Sequence, residues 1–369
     1  MKVRRSTTAN LSTTPLDKGR HRSISCRPFC ISKSVGKAEK GVALVLVMFI
    51  VAIASILVVN LAYDSSLEAG SNLMVEQSLQ AEYLLKSAIN IARTVIAEDN
   101  TPEDGPQDAW ANFSQGVPLP LELLGVEQPG FGLNLEIRPE ESKFPLRAVM
   151  AAGNADVKWR DALVRLFREL GFDDDEEPDH TGLFGQRVFR SDEMVANLID
   201  FMSPDDSPYQ SDDFVSGIKD QVPDGYFPNR AIRRVSELSS IPGFTPSRLR
   251  SLAPFVTTFG NGRRININLA TELVLRSLHL EIDRPESQAI VEFSLSAEGP
   301  FKSESQKIQL SEIIGEGVYD EIATMITVRS NWFQVVAKVE SGASIYFMRA
   351  YISKSQEGQM PAIRLVELY

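Results

Sequence analysis

Five aspartates crowd a short stretch interrupted by prolines: Asp200, Asp205, Asp206, Asp212 and Asp213. Carboxylates at that density repel one another unless a cation or solvent screens them, and calcium, which takes six to eight oxygen ligands, suits such a loop. The spacing is not that of an EF-hand, and an Asp/Ser/Pro run is also an ordinary solvated loop, so the residues alone leave both readings open. A second run, Asp173-Asp174-Asp175-Glu176-Glu177, has no ligand-like spacing and is expected to be a solvated surface loop. Seven arginines, Arg230, Arg233, Arg234, Arg248, Arg250, Arg263 and Arg264, surround the turn Ile241-Pro242-Gly243-Phe244. A Gly turn between two short helices could offer backbone amides and guanidinium groups to phosphate; alternatively the arginines pair with acidic surfaces of this chain or a partner.

Other chemistry is short of parts. His180 lies in a Pro/Gly/Asp loop and His279 follows a helix candidate, neither with partners at metal-ligand spacing. Cys26 and Cys30 precede the apolar segment described below, so the rest of the chain has no disulfide and no thiolate nucleophile. There is no Walker A, G-x-S-x-G or G-x-G-x-x-G pattern. No enzyme activity is expected; a hydrolase built on paired aspartates is the weakest of the readings. The 369 residues carry a formal charge of −11, but the first 40 hold ten Lys/Arg against Asp17 and Glu39, a net of +8, which leaves −19 on residues 41–369. An acidic body repels phosphate backbones, so no nucleic acid is expected as a partner.

What must position these groups begins with Val42 to Ala62, 21 residues without charge, proline or glycine. As a helix they rise about 32 Å, enough to cross the hydrocarbon core of a bilayer. Lys33, Lys37 and Lys40 precede the span, and Asp64 and Glu68 are the first charges after it, which predicts a cytoplasmic N-terminus and an exported body. A cleaved secretory signal would end at a small-residue site, and Leu61-Ala62-Tyr63 is a poor one. The helix is expected to continue: between Val42 and Asn100 there is no proline and one glycine, Gly70, and Leu67, Met74, Ala81, Leu84, Leu85, Ala88, Ile91, Ala92 and Val95 recur at helical spacing.

Further on, Phe131 to Arg138 alternates apolar with polar and reads as a half-buried strand. Helix candidates follow at Ala155–Leu170, Ser191–Phe201, Ala231–Ser239, Pro246–Leu252, Leu269–Leu278 and Pro285–Ser294, separated by Asp/Pro/Gly loops. The period then returns to two at Trp332–Val339, Ile345–Ser353 and Ala362–Leu368. The fold class is α+β: a small antiparallel sheet leaning on the long helix, with a large helical insertion in its middle.

Glu39-Lys40-Gly41 followed by Val42-Ala43-Leu44-Val45-Leu46-Val47 resembles a type IV prepilin leader and the apolar helix behind it. The stretches Ala81 to Asn90, Trp159 to Phe167, Leu198 to Pro208, Val235 to Leu238, Ile241 to Phe244 and Ile265 to Ala270 are similar, in that order, to segments of the general secretion pathway protein K family, the large minor pseudopilins of type II secretion. The resemblance runs from about Lys40 to the C-terminus, with the segment from Asn134 to Asp156 matching poorly.

That resemblance implies a pilin-like core carrying an all-α insertion with SAM-like or helix-hairpin-helix-like modules. The implied divisions are a cleaved basic leader at 1–41, the membrane helix at 42–62, its amphipathic continuation at 63–100, the first part of the core at 101–142, the insertion at 143–320 and closing strands at 321–369. It implies cleavage by a prepilin peptidase between Gly41 and Val42, with Val42 methylated. It also implies a fifth mature residue, Leu46, where most pilins carry the glutamate that pairs with a neighbour's N-terminal amine. Calcium at the aspartate loop gains support from it. The implied function is a non-catalytic minor pseudopilin at the tip of a periplasmic pseudopilus, anchored in the inner membrane and bundled with smaller minor pseudopilins and the major pseudopilin. The alternative is a minor pilin of a type IV pilus or DNA-uptake machine, in which the arginine cluster would gain meaning.

Overall fold

The computed structural model describes residues 39–124, 130–260, 262–303, 305–354 and 359–369. The expected leader lies outside them up to residue 38, as do Cys26 and Cys30. Helix α1 spans Glu39–Glu98, in agreement with the proline-free sequence. The chain divides into two compact units, one ending at Gly70 and the other running from Ser71 to Tyr369. In the first, every residue from Val42 to Ala62 is exposed. In the second, α1 buries Ala81, Leu84, Leu85, Ala88, Ile89, Ala92 and Ile96. Of the predicted stripe, Ala81, Leu84, Leu85, Ala88 and Ala92 are buried and Ile91 and Val95 half-buried, whereas Leu67 and Met74 stay exposed.

The buried side of α1 packs on a five-stranded sheet whose spatial order follows the chain: β1 (Val117–Pro118), β2 (Phe131–Pro139), β3 (Trp332–Ser341), β4 (Ser344–Ser353) and β5 (Ala362–Leu368), every neighbouring pair antiparallel. Alternation puts Leu133, Leu135 and Ile137 of β2, Phe333, Val335, Ala337 and Val339 of β3, and Met348, Ala350 and Ile352 of β4 on the face toward α1. Register follows from that pattern, because a slip by one residue would turn all of these side chains to the opposite face. Trp110 closes the layer edge-on to Phe333, ring centroids 5.3 Å apart.

Between β2 and β3 the chain leaves the sheet and builds a second core that holds, among the described residues, seven α-helices: α2 (Val157–Glu169), α3 (Ser191–Met202), α4 (Pro246–Leu252), α5 (Glu272–Leu278), α6 (Arg284–Leu295), α7 (Gln306–Ile314) and α8 (Glu316–Ile322). Two short parallel ladders stitch it, Phe144–Pro145 beside Val256–Thr257 and Ile265–Asn266 beside Ile326–Thr327. The second carries the insertion a few residues beyond the expected boundary at 320. The helix expected over Ala231–Ser239 is instead a 3₁₀ segment, Val235–Ser240. Upstream of it the Glu237 carboxylate accepts the Arg233 amide at 3.0 Å, and the Ile232 carbonyl accepts Arg147 Nε at 2.7 Å, so those backbone groups are used outside any α-helix.

Candidate functional site

Helix α1 is the one helix among the described residues long and apolar enough to cross a membrane, and it is a candidate membrane anchor. Gly41 and Val42, on either side of the expected cleavage point, and Leu46 all lie within it. Leu46 is an exposed apolar side chain, so this position offers no carboxylate to a neighbouring chain.

The five aspartates of the predicted loop divide into three roles. Asp200, on the last turn of α3, is fully buried; its Oδ1 accepts the Tyr209 amide at 2.6 Å and its Oδ2 the Lys219 amide at 2.8 Å. Burial pushes its carboxyl above the usual carboxylate range, against the pull of these amides. A side chain on Gly217 would place its Cβ 2.1 Å from Asp200 Oδ2, so the cradle requires glycine there. Asp213 is exposed and bonds Ser211 Oγ and the guanidinium of Arg160, whose Nη2 lies 3.0 Å away, and these bonds pull it down to about 2. Arg160 itself is buried in α2 with its guanidinium 4.2 Å from the ring of Phe214. Asp205, Asp206 and Asp212 remain exposed, and Asp206 Oδ1 accepts the amide of Asn229 at 3.0 Å.

Lys219, which the sequence did not single out, sends its ammonium onto the carbonyls of Ser203, at 3.1 Å, and of Asp205. A positive group therefore already occupies a carbonyl-lined place in this loop. Among the described residues no three of the five aspartates bring ligand oxygens within 4.8 Å of one another, and the oxygens of Asp200 and Asp213 are committed to this chain's own donors, so only Asp205 and Asp206 remain as exposed carboxylates beside those carbonyls.

The set of carboxylates that comes together most closely, among the described residues, is a different one: Asp99, Asp104 and Asp108, with ligand oxygens all within 4.8 Å of one another. Lys354, just past β4, reaches Asp99 Oδ2 and Asp104 Oδ1, both at 3.0 Å. Burial pushes Asp104 up and Asp108 to about 6, and the neighbouring aspartates add to the effect. Asp104 also joins the two cores: its Oδ2 accepts the Ser330 amide at 2.7 Å, and its carbonyl accepts Asn266 and Asn268.

Three of the seven arginines around the Gly turn, Arg230, Arg248 and Arg263, are consumed inside the chain. Arg230 makes a two-pronged contact with Glu237 at 3.0 and 3.1 Å, and Arg263 bonds Asp156 at 2.5 Å. Arg248 is 1% exposed; it pairs with Asp175 and donates to the carbonyls of Phe172, Phe189 and Gly243. Gly243, at φ +95°, is buried with its amide donating to Asp179 at 3.3 Å, and a Cβ would lie 2.8 Å from that of Phe189. The amides of this turn are thus not presented to a phosphate.

The acidic run also departs from expectation. Instead of a solvated loop it is a set of anchors: Asp173 accepts the Ser191 amide at 2.7 Å, Asp175 meets Arg248, and Glu177 bonds Thr245 and Ser247. Seventy-three residues separate Asp175 from Arg248, so no spacing signal could have paired them. His180 bonds the Ser239 carbonyl at 2.7 Å and His279 bonds Glu321 at 3.1 Å.

Residues 142–261, which hold the start of the insertion, α2 to α4 and the aspartate loop, match the family model for type II secretion system protein K. This segment, about a third of the chain, is similar to the protein K family. It is 23% identical over 235 residues to the protein provisionally named type II secretion system protein K in Escherichia coli strain K12, covering 63% of this chain and 67% of that one. A chain in the crystal structure of the GspK–GspI–GspJ complex from the type 2 secretion system of enterotoxigenic Escherichia coli has the same fold: TM-score 0.58, 16% identity, 80% of this chain and 97% of that one.

Proposed function

We propose that this chain is a minor pseudopilin of type II secretion, a non-catalytic subunit at the tip of a periplasmic pseudopilus, single-pass in the inner membrane with its N-terminus cytoplasmic. The observation that carries the tip position is the insertion between β2 and β3, a second core large enough to make the exported body too bulky to repeat along a thin fibre. Leu46 points the same way, since it cannot neutralise a neighbour's N-terminal amine in the apolar layer. The similar fold was crystallised as part of a GspK–GspI–GspJ complex, and smaller minor pseudopilins are the partners proposed for this chain, with the major pseudopilin below them. The prepilin peptidase would cut between Gly41 and Val42 and methylate Val42. A calcium ion would be held at Asp205 and Asp206, beside the carbonyls that Lys219 contacts, displacing its ammonium and supplying only positive charge that orders the loop.

Mass spectrometry of the protein recovered from membranes tests the processing: a mature chain beginning at methylated Val42 is expected, and a chain still beginning upstream of Lys40 overturns it. Gold labelling of isolated pseudopili tests the position: one label at an end is expected, and labels repeated along the shaft overturn it.

A further inference from the structure

A cavity of about 400 Å³ lies where the face of the sheet turned away from α1 meets the insertion. Its sheet wall includes Gln334, Arg349, Tyr351 and Glu367; Arg234 and Phe259 stand on the insertion side. Arg349 and Glu367 are cross-strand partners on β4 and β5. Arg349 and Arg234 both approach Glu367, at 3.7 and 3.8 Å, too far for a formed hydrogen bond. Glu367 instead accepts the hydroxyl of Tyr369 at 2.8 Å. Arg349 Nε is enclosed and has no hydrogen-bond partner. The other cations of the wall are engaged, Lys143 with Glu140 at 2.7 Å and Arg138 with Glu136 at 2.6 Å. Two guanidinium groups thus share one carboxylate loosely, inside a body that is acidic elsewhere.

We propose that this cavity binds a carboxylate carried by a polypeptide, either an Asp/Glu side chain or a free C-terminus, which the forks of Arg234 and Arg349 grip together. A guanidinium fork matches a carboxylate in two parallel hydrogen bonds, and such charge-assisted pairs are the stronger kind. The neighbouring wall argues for a peptide over an inorganic anion. Phe259 lies stacked on Tyr351, centroids 3.6 Å apart and planes within 16°, and Val235 and Pro254 extend the same apolar side. That surface would hold the apolar side chain next to the carboxylate, and the volume is in the range of sites that enclose several groups of a ligand. The site stands on this geometry and does not depend on the place of the chain in a pseudopilus.

The test uses the full chain in detergent and fluorescence anisotropy with three labelled probes: acetyl-Ser-Gly-Phe-Glu-Gly-Ser-amide, the same peptide with Gln for Glu, and Ser-Gly-Phe-Gly-Ser with a free C-terminus. The Glu probe or the free-terminus probe is expected to bind at least tenfold more tightly than the Gln probe, and the tighter of the two names the source. R234Q/R349Q is expected to abolish that preference, while R264Q, at an exposed arginine outside the cavity, keeps it. Because Arg349 is partly enclosed, R234Q alone serves as a variant safe for folding and is expected to weaken binding several-fold. Equal binding of Glu and Gln probes, unchanged binding by a folded R234Q/R349Q, or displacement of the peptide by equimolar inorganic phosphate each overturns the proposal.

Discussion

The carboxylate of Glu141 accepts the backbone N–H of Trp332 at 3.1 Å and that of Asn331 at 3.0 Å. Glu141 lies just past the end of β2 and Trp332 opens β3, so one buried side chain pins the exit of the insertion to its return. Burial pushes the Glu141 carboxyl up to about 7, although the amides that it accepts pull the other way. The folded chain then holds this proton up to about pH 7, whereas the unfolded chain gives it up near the ordinary glutamate value. Between about pH 4.5 and 7 the folded state binds more protons, and this group makes stability fall as pH rises across that window, levelling above it. E141Q is expected to flatten the fall in melting temperature between pH 5 and 8 relative to the wild type. Parallel profiles in a scanning-fluorimetry series would remove the argument. E141A leaves both amides without an acceptor and is expected to cost roughly 2–3 kcal/mol.

Arg248 is the most heavily bonded side chain of the insertion. Replacing it by methionine strands Asp175 and three carbonyls, and removal of one partner from a buried ion pair costs about 3–5 kcal/mol. R248M is expected to lose that much in urea unfolding, and D175N less, because in D175N the guanidinium keeps the carbonyls of Phe172, Phe189 and Gly243 and the Asn oxygen can still accept from it. Equal losses for the two would mean that the carbonyl contacts carry little.

Gly217 is set by one contact. A methyl group there would meet the Asp200 carboxylate at 2.1 Å, and Asp200 is held from both sides by backbone amides, so the clash cannot be relieved by a side-chain rotation alone. G217A is expected to destabilise by about 1–3 kcal/mol or more, the range for overpacking. G225A is the useful comparison on an open turn: nothing lies within 4 Å of its added methyl, and only its φ of +75° resists the change. Circular dichroism melts that rank G225A at or below G217A would contradict the assignment of Gly217 to the cradle.

The calcium proposal has its own readout. A ligand that binds only the folded state raises stability with its concentration. Millimolar calcium is expected to raise the melting temperature of the wild type over that in chelator, and D205N/D206N is expected to lose the increment. K219M removes the ammonium from the carbonyls of Ser203 and Asp205 and should therefore enlarge the calcium increment. No increment in either wild type or K219M would remove calcium from the loop.

Much of this fold is legible in the sequence because its elements are periodic. Leu133, Leu135 and Ile137 alternate, as do Phe333, Val335, Ala337 and Val339, and Ala81 to Ile96 repeats at helical spacing; each pattern stands for one buried face. The α7–α8 pair was not legible, being short and split at Gly315, whose φ of +86° separates them. Charges were legible as clusters but not as partners. Asp175 with Arg248, Lys219 with the carbonyls of its loop, and Lys354 with Asp99 and Asp104 join residues from 14 to 255 positions apart, and tertiary packing alone decides such pairs. The aspartates that looked most like a ligand set were separated for this reason, and those that came together, Asp99, Asp104 and Asp108, did not stand out.

Lys354 is the counter-ion on which that acidic trio depends. Its ammonium touches two of the three carboxylates, and its own pKa is raised: burial lowers it, but Asp104 and Asp99 more than compensate. With methionine in its place the trio would carry its negative charge only at a large cost above pH 6, where Asp108 is ionised. Below pH 6 Asp108 takes up a proton in the folded state, and the cost of losing the ammonium falls. K354M is therefore expected to lose about 3 kcal/mol or more at pH 8 and distinctly less at pH 5, the order of a broken buried pair. Urea unfolding at both pH values checks it: an equal loss at each would show that Lys354 acts through its packing on Phe333, 6.0 Å from the ring centroid, and not through its charge.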